Sequence, residues 1–423
     1  MAREYKDSGI EWIGQIPKEW QVCRFKNFVD LLTEPSTSSK KVGLENIESE
    51  SGRFVETEGK FEGNGVQFVK NDIVYGKLRP YLRKVWLATF DGNAVGDFYV
   101  FRAKGKTDAN YVKWLFLSDG FTAAVSSSVY GAKMPRVASD FILALPCFLP
   151  SSSKQQQIAA YLDKVCGEVD EMIALQEQMI EELKAYKQSV ITEAVTKGLN
   201  SKAPMKDSGI EWIGNIPEHW KLEPLKYCFG RRSEKNNPVK TKERLSLSID
   251  KGVTLYAEKT TNLDRFKEDF TQYQLAYPND IVLNCMNMIV GAVGLSKYMG
   301  CVSPVYYVIY PIKAEIDALY YSYLLNIPTI RGVYFSLGKG IYAIERGEGR
   351  VNTCRLKVSY DDFGRLDIPI PPIEEQKEIT QYIQNKCAEI DALIAIKQQK
   401  IEELKDYKKS VIYEYVTGKK DVN

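Results

Sequence analysis

The chain carries one unit twice. KDSGIEWIGQIPKEW at 6–20 returns as KDSGIEWIGNIPEHW at 206–220, and QQQIAAYLDKVCGEVDEMI from Gln155 returns as QKEITQYIQNKCAEIDALI from Gln376. An internal repeat has to be found before any element is assigned, because both copies must be able to fold the same way. The order is motif, middle, helix-like run, and then the same three again. Two copies with different middles suit a ligand that has two different halves.

Offsets show where the copies differ. The motif repeats at 206 − 6 = 200 and the helix at 376 − 155 = 221, so the second middle is 221 − 200 = 21 residues longer. NDIV at 71–74 returns at 279–282, and Tyr99-Val100 returns as Tyr307-Val308, both at 208. The remaining 221 − 208 = 13 residues are expected late in the second middle, in GKGIYAIERGEGRVN at 338–352.

After each middle, apolar residues recur at spacings of three and four. Leu162, Val165, Val169, Met172, Met179, Leu183, Tyr186 and Val190, with Gln176 in the polar gap, form such a stripe. Ile383, Ile390, Leu393, Leu404, Tyr407 and Val411 form its counterpart, beside a second stripe at Ile379, Ile394 and Ile401. This is coiled-coil periodicity. Long helices are expected from near Gln155 to Thr196 and from near Glu375 to Thr417. The duplication favours an antiparallel pair within one chain, although periodicity alone leaves a coiled coil between two chains open. An intramolecular pair would bring the C-terminal GKKDVN near the N-terminal motif.

Within the middles, NDIVYG, KVWLATF, GDFYVFRA and their counterparts NDIVLNCM, MIVGAVGLSKY and SPVYYVIYP read as strands. ANYVKWLFLSDGFTAAVSS and DALYYSYLLNIPTIRGVYF read as helices packed on them, so each middle is an α+β domain. The expected division is 1–154 and 206–374 for two globular domains, 155–197 and 375–418 for the helices, 198–205 for a linker and 419–423 for a tail.

Composition removes several classes. No apolar run reaches the roughly 18 residues of a bilayer span, and the first residues lack the apolar core of a signal peptide, so the cytoplasm is the expected location. The eight cysteines are scattered without C-x-x-C, and His219 is the only histidine. Idle, packed thiols are expected rather than zinc or disulfides, with Cys166 and Cys387 at equivalent helix positions. Walker, dinucleotide-binding and H-E-x-x-H motifs are missing. Acidic pairs such as Glu181-Glu182 and Glu402-Glu403 sit on the helices, where lysines nearby explain them. Nothing here points to an enzyme.

Charge then narrows a binding role. The net charge is +2, yet residues 21–150 hold 17 Lys and Arg against 14 Asp and Glu, and 221–371 hold 21 against 16. GKLRPYLRK at 76–84 groups Lys77, Arg79, Arg83 and Lys84 with Tyr81, and GAKMPR at 131–136 adds Lys133 and Arg136. In the second middle Lys339, Tyr342, Arg346 and Arg350 fall in the extra segment. Such side chains can neutralise phosphates or reach base edges, and ordinary solvated loops can carry them as well.

The repeated KDSGIEWIGxIPxxW opening, the IPIPPIEEQ exit, the helix with IEELK-Y-K-SVI-E-VT and the duplicated layout resemble the specificity subunit of type I restriction-modification systems. The first exit, LPSSSKQQQ, departs from this pattern. The resemblance implies two pseudo-symmetric α/β target recognition domains separated by two long helices in an antiparallel coiled coil. It implies a non-catalytic subunit that reads a bipartite, asymmetric double-stranded DNA site, with the helices as spacer. It implies two modification subunits using S-adenosylmethionine as partners, and restriction subunits using ATP and magnesium, with no cofactor in this chain and no membrane. Lys77, Arg79, Tyr81, Arg83, Lys84, Lys133 and Arg136 are then expected to face DNA in the first domain, and Asn284, Asn287, Lys339, Tyr342, Arg346 and Arg350 in the second. Trp12, Trp20, Trp212 and Trp220 either serve assembly or fasten the motif to its domain. The other class kept open is a duplicated, non-enzymatic adaptor for protein or another ligand.

Overall fold

The computed structural model describes residues 3–36, 38–59, 61–131, 133–258, 269–341, 345–346, 350–351 and 355–422. It divides into two compact units, one formed by 1–178 with 397–423 and the other by 179–396, and the division falls within both long helices.

Each unit opens on the repeated motif as a hairpin, Tyr5–Asp7 with Gln15–Pro17 in the first and Met205–Asp207 with Asn215–Pro217 in the second. The DSGI sequence makes the turn. Asp7 Oδ1 accepts from the Gly9 amide at 3.0 Å and Ser8 Oγ from the Ile10 amide at 3.1 Å, while Asp207 and Ser208 do the same at 2.9 and 3.1 Å. Gly9 and Gly209 both sit at φ +66, where a side chain would be strained. Trp20 is buried and stacked on Phe148 with centroids 5.2 Å apart, and Trp220 is buried as well. These two indoles fasten the motif to its own unit.

The core of each unit rests on a four-stranded antiparallel sheet. Its order is Val29–Leu32, Phe98–Ala103, Ile73–Gly76, Val85–Leu87 in the first unit and Phe229–Arg232, Tyr306–Pro311, Ile281–Asn284, Val293–Leu295 in the second. The last three strands repeat at 281 − 73 = 293 − 85 = 306 − 98 = 208. Buried β-branched and aromatic side chains such as Ile73, Val74, Val100 and Phe101 pack both faces.

The NDIV repeat is the entry to the central strand. Asn71 and Asn279 take φ +71 and +70, a conformation asparagine tolerates. Asp72 and Asp280 behind them are buried and accept the amides of Val69 and Tyr277 at 2.8 Å each. Each carboxylate also holds an arginine in two hydrogen bonds, Arg102 at 2.7 and 2.7 Å and Arg232 at 2.6 and 2.9 Å. The two arginines come from different strands of the sheet, so the same buried charge is neutralised by two solutions.

Helices α1 (Ala109–Leu117), α2 (Asp119–Ser126) and α3 (Ser139–Ala144) precede the long α4 (Ser152–Lys197); α5 (Ala318–Leu324), α6 (Pro328–Leu337) and α7 (Tyr360–Gly364) precede the long α8 (Ile373–Val416). Strand Pro146–Leu149 pairs with Gln21–Arg24 just before α4, and Asp367–Ile370 with Lys221–Pro224 just before α8. A buried glutamine secures both joins. Gln155 accepts from the Asp108 amide at 2.8 Å and donates to Pro150 O at 2.8 Å, and Gln376 accepts from the Asp317 amide at 2.9 Å and donates to Pro371 O at 2.8 Å. The divergent LPSSSKQQQ exit therefore makes the same join as PPIEEQ.

In each unit a half of α4 runs antiparallel to a half of α8. Asp170 pairs with Lys408 and Tyr161 stacks near Tyr415 in the first unit, and Lys187 pairs with Asp391 in the second. The two ion pairs are one contact used twice, since 170 + 221 = 391 and 187 + 221 = 408. The seam follows the expected stripes at most positions and departs from them at four. Leu162, Val169, Val190, Ile379, Ile383, Ile390, Ile401, Leu404 and Val411 are buried as expected, but Met172, Tyr186, Leu393 and Tyr407 are exposed, and Cys166 and Ile180 are buried as well. At Tyr186 and Tyr407 the seam takes the next residue round the helix, Lys187 and Lys408, which are admitted by their aspartates. Cys166 packs in the first core and Cys387 against the second. At the C-terminus, Lys419 Nζ donates to Gln15 O and Asp421 pairs with Arg3 and Lys154, so the tail does lie on the N-terminal motif.

The two ion pairs differ in burial. The Lys408 and Asp170 side chains are 10% and 18% exposed, whereas Asp391 is 57% exposed. Asp170→Ala should therefore strand a buried ammonium and cost about 3 kcal/mol, while Asp391→Ala should cost less than about 1 kcal/mol. Urea unfolding of the two variants tests this, and equal losses would contradict it.

Candidate nucleic-acid interface

The central strand of each sheet ends in a turn at the same place. In the first unit Ile73–Gly76 leads through Lys77 to a one-turn 3-10 helix, Pro80–Leu82, flanked by Arg79 at φ +50 and Arg83 at φ +48. Segment 130–136 lies directly against this turn. Arg79 N donates to Pro135 O at 2.7 Å, Val137 N to Lys77 O at 3.2 Å, and Tyr130 and Arg136 exchange backbone hydrogen bonds of 3.0 and 2.9 Å. The two basic clusters seen in the sequence are one surface.

Their side chains divide between structure and solvent. Arg136 makes two 2.8 Å hydrogen bonds to Asp97, and Lys77 Nζ stands 3.9 Å from the same carboxylate and 5.2 Å from the Tyr99 ring. The Arg136 guanidinium holds the Asp97 carboxyl below the usual aspartate range. Arg83 turns inward to Asp119, and Lys84 donates to the carbonyls of Leu44 and Ile47 at 2.7 Å each. Arg79 and Lys133 are exposed and have no ion pair or side-chain hydrogen bond among the described residues. Tyr81, Tyr130 and Met134 of the same two segments are exposed as well.

The second unit builds the same head with other residues. Strand Ile281–Asn284 leads to the 3-10 helix Met288–Val290, preceded by the exposed Asn287 at 287 − 208 = 79. Asn284 is buried and accepts the Met286 amide at 3.1 Å. Val358 N donates to Cys285 O at 3.1 Å, repeating the Val137 to Lys77 bond at 358 − 221 = 137 and 285 − 208 = 77. Where the first unit has the short turn 130–136, the second has a hairpin from Lys339–Ile341 to Arg355–Lys357, with Glu345–Arg346 paired to Arg350–Val351. That is 19 residues against 7, so 12 of the 13 extra residues lengthen this head; the other precedes Asp317, which stands at 317 − 108 = 209 from Asp108.

Lys339 is exposed, 3.4 Å from Asp362. Tyr342 lies outside the described residues, and Arg346 and Arg350 are described only as paired backbone. Two cations were not singled out from the sequence. Arg231 is exposed and lies over the rings of Tyr307 and Tyr360 at 5.1 and 4.8 Å, and Lys357 is exposed on the hairpin. Alternation along Phe229–Arg232 sends Arg232 to Asp280 and leaves Arg231 on the other face. The one histidine has a packing role: His219 Nε2 is 2.8 Å from Glu375, which also accepts Trp220 Nε1 at 3.1 Å. No helix among the described residues is long and apolar enough to cross a membrane.

Residues 17–185 match the family described as Type I restriction modification DNA specificity domain. The Type I restriction enzyme MjaVIII specificity subunit of Methanocaldococcus jannaschii is 25% identical over 434 residues, covering 96% of this chain and 94% of that protein. The EcoDI specificity subunit of Escherichia coli is 28% identical over 176 residues, 38% of this chain and 39% of that one. Among solved structures, a chain from work on complex assembly and conformational transition of the type I R-M system superposes with TM-score 0.69 at 17% identity, covering 95% of this chain and 99% of that one. The HsdS subunit from Thermoanaerobacter tengcongensis gives 0.53 at 17% identity, covering 95% and 98%. Both share the fold.

Asp97 ties the two segments of the first head together. Because its carboxyl is depressed by Arg136, this contribution is full above the ordinary aspartate pKa and is lost as pH falls through the lowered folded value. Amide protection of Tyr130 and Arg136 should decline on the acid side of the aspartate range, and Asp97→Asn should show the weakened protection at neutral pH already. Protection indifferent to both would contradict the role given to Asp97.

Proposed function

We propose, for a chain that belongs to the specificity subunits of type I restriction-modification systems, that each unit reads one half of a split, asymmetric duplex DNA target. The observation that carries this reading is the head itself. One turn and one neighbouring hairpin recur at the same end of the same strand in both units, yet with different lengths and different side chains. A shared frame with unlike heads is what a target with two unlike halves requires.

The chemistry suits a duplex. The major groove, about 12 Å wide, admits a two-stranded ribbon and offers each base pair a distinct donor and acceptor pattern. Lys133 in the first head and Arg231, Lys339 and Lys357 in the second are exposed cations able to meet phosphates. The net charge of only +2 fits attraction concentrated at the heads. An adaptor for a protein ligand has less support, because exposed cations mark both heads.

The subunit is non-catalytic. In this reading it carries two modification subunits that use S-adenosylmethionine, and a methylated base would leave the stack for a pocket in that partner. ATP and magnesium would serve restriction subunits. The cytoplasm, where the DNA target lies, is the proposed location.

Titrating duplex binding against salt tests the assignment, using the full chain together with its modification subunits. Lys133→Ala and Lys357→Ala should each weaken binding to all sequences alike and lower the slope of log K against log salt by about 1. An unchanged slope would remove those residues from the DNA surface. Alanine at Arg346 or Arg350 that alters neither affinity nor sequence preference would remove the hairpin.

A further inference from the structure

Two observations single out one position within these heads. First, Arg79 and Asn287 stand at the same place in the two copies, each immediately before the one-turn 3-10 helix, and both are exposed. Second, Arg79 is held in the left-handed region at φ +50, ψ +64, a conformation that arginine rarely takes. Strain of this kind persists only when its surroundings impose it, and it gathers at functional positions. Here the surroundings are visible: the Arg79 amide is bound by Pro135 O at 2.7 Å and the following residue is Pro80.

The side chain gains nothing from this inside the protein. The other left-handed arginine of the turn, Arg83, is paired with Asp119, and the neighbouring cations Lys77, Lys84 and Arg136 all have partners. Arg79 has none among the described residues and is exposed, as are Tyr81 and Met134 of the same two segments. An arginine whose backbone is locked while its guanidinium is left open is prepared for an external, planar acceptor pair. Guanine O6 and N7 form such a pair for arginine, and adenine N6 and N7 form the matching pair for asparagine.

We infer that this shared position is a specificity determinant in each half-site, with Arg79 selecting a guanine in one half and Asn287 an adenine in the other. The inference rests on the function proposed above and goes further by naming the residues and the bases. The position is equivalent in chain order, while Asn287 holds an ordinary backbone conformation at φ −117, ψ 3, so exchanging the residue at each position tests each preference in its own backbone.

The test is selection of bound duplexes from a random pool by the full chain with its modification subunits, as wild type, Arg79→Asn, Arg79→Gly and Asn287→Arg. Asparagine and glycine both accept the left-handed backbone, so the two Arg79 variants keep the turn and should melt at or above the wild-type temperature. Arg79→Asn should convert one guanine to adenine in one half-site, and Arg79→Gly should erase that preference, a loss of about 5- to 150-fold in discrimination. Asn287→Arg should convert one adenine to guanine in the other half. A uniform loss of affinity with unchanged base preferences would make Arg79 a phosphate contact and overturn the inference. So would unchanged binding, or a lowered melting temperature with preferences intact. A wild-type chain that enriches no split motif would fail the underlying function, and that result is read before any variant is compared.

Discussion

A buried carboxylate fixes the register of the strand that carries each head. Asp72 and Asp280 close the turn into the central strand through the amides of Val69 and Tyr277 and are neutralised by a two-pronged arginine. Slipping that strand by one residue would part the carboxylate from its amide and its arginine and leave the charge unpaired in the core. With the register held, Gly76 and Asn284 end the strand at the same point, and the turn beyond presents Arg79 or Asn287. Everything proposed about recognition depends on that common starting point.

Much of the architecture was legible because duplication leaves a signal that survives divergence. The offsets of 200, 208 and 221 marked the frame, and the extra hairpin lies in the segment to which they pointed. The helix seam was legible at most positions, but not where a lysine replaces an aromatic in it. Tyr186 and Tyr407 look like better core residues than Lys187 and Lys408, and only the aspartate paired with each lysine reveals why a charged residue can lie there. The candidate surface was legible by region more than by residue. Arg83, Lys84 and Arg136 look identical in sequence to Arg79 and Lys133, but their partners are Asp119, two carbonyls and Asp97, which are remote along the chain. Arg231 was hidden in an RRSEK run whose strand alternation only the structure displays.

The contrast between frame and head has a simple energetic origin. Sheet register, the glutamine joins and the Asp170–Lys408 ion pair are buried, so changes there are costly, and the two copies still share this frame. The heads are loops on the surface, where length and side chains can change at little cost to the core. A 7-residue turn and a 19-residue hairpin can therefore grow from the same backbone bond, Val137 to Lys77 in one copy and Val358 to Cys285 in the other. Asymmetry of recognition is thus built on symmetry of support.

The most direct measurement of the central claim is the base content of duplexes retained from a random pool by the wild-type chain together with the modification subunits proposed as its partners. The account calls for two short defined elements, unlike each other and separated by a gap of fixed length and free sequence. A single continuous element, or no enrichment by an intact complex, would contradict it.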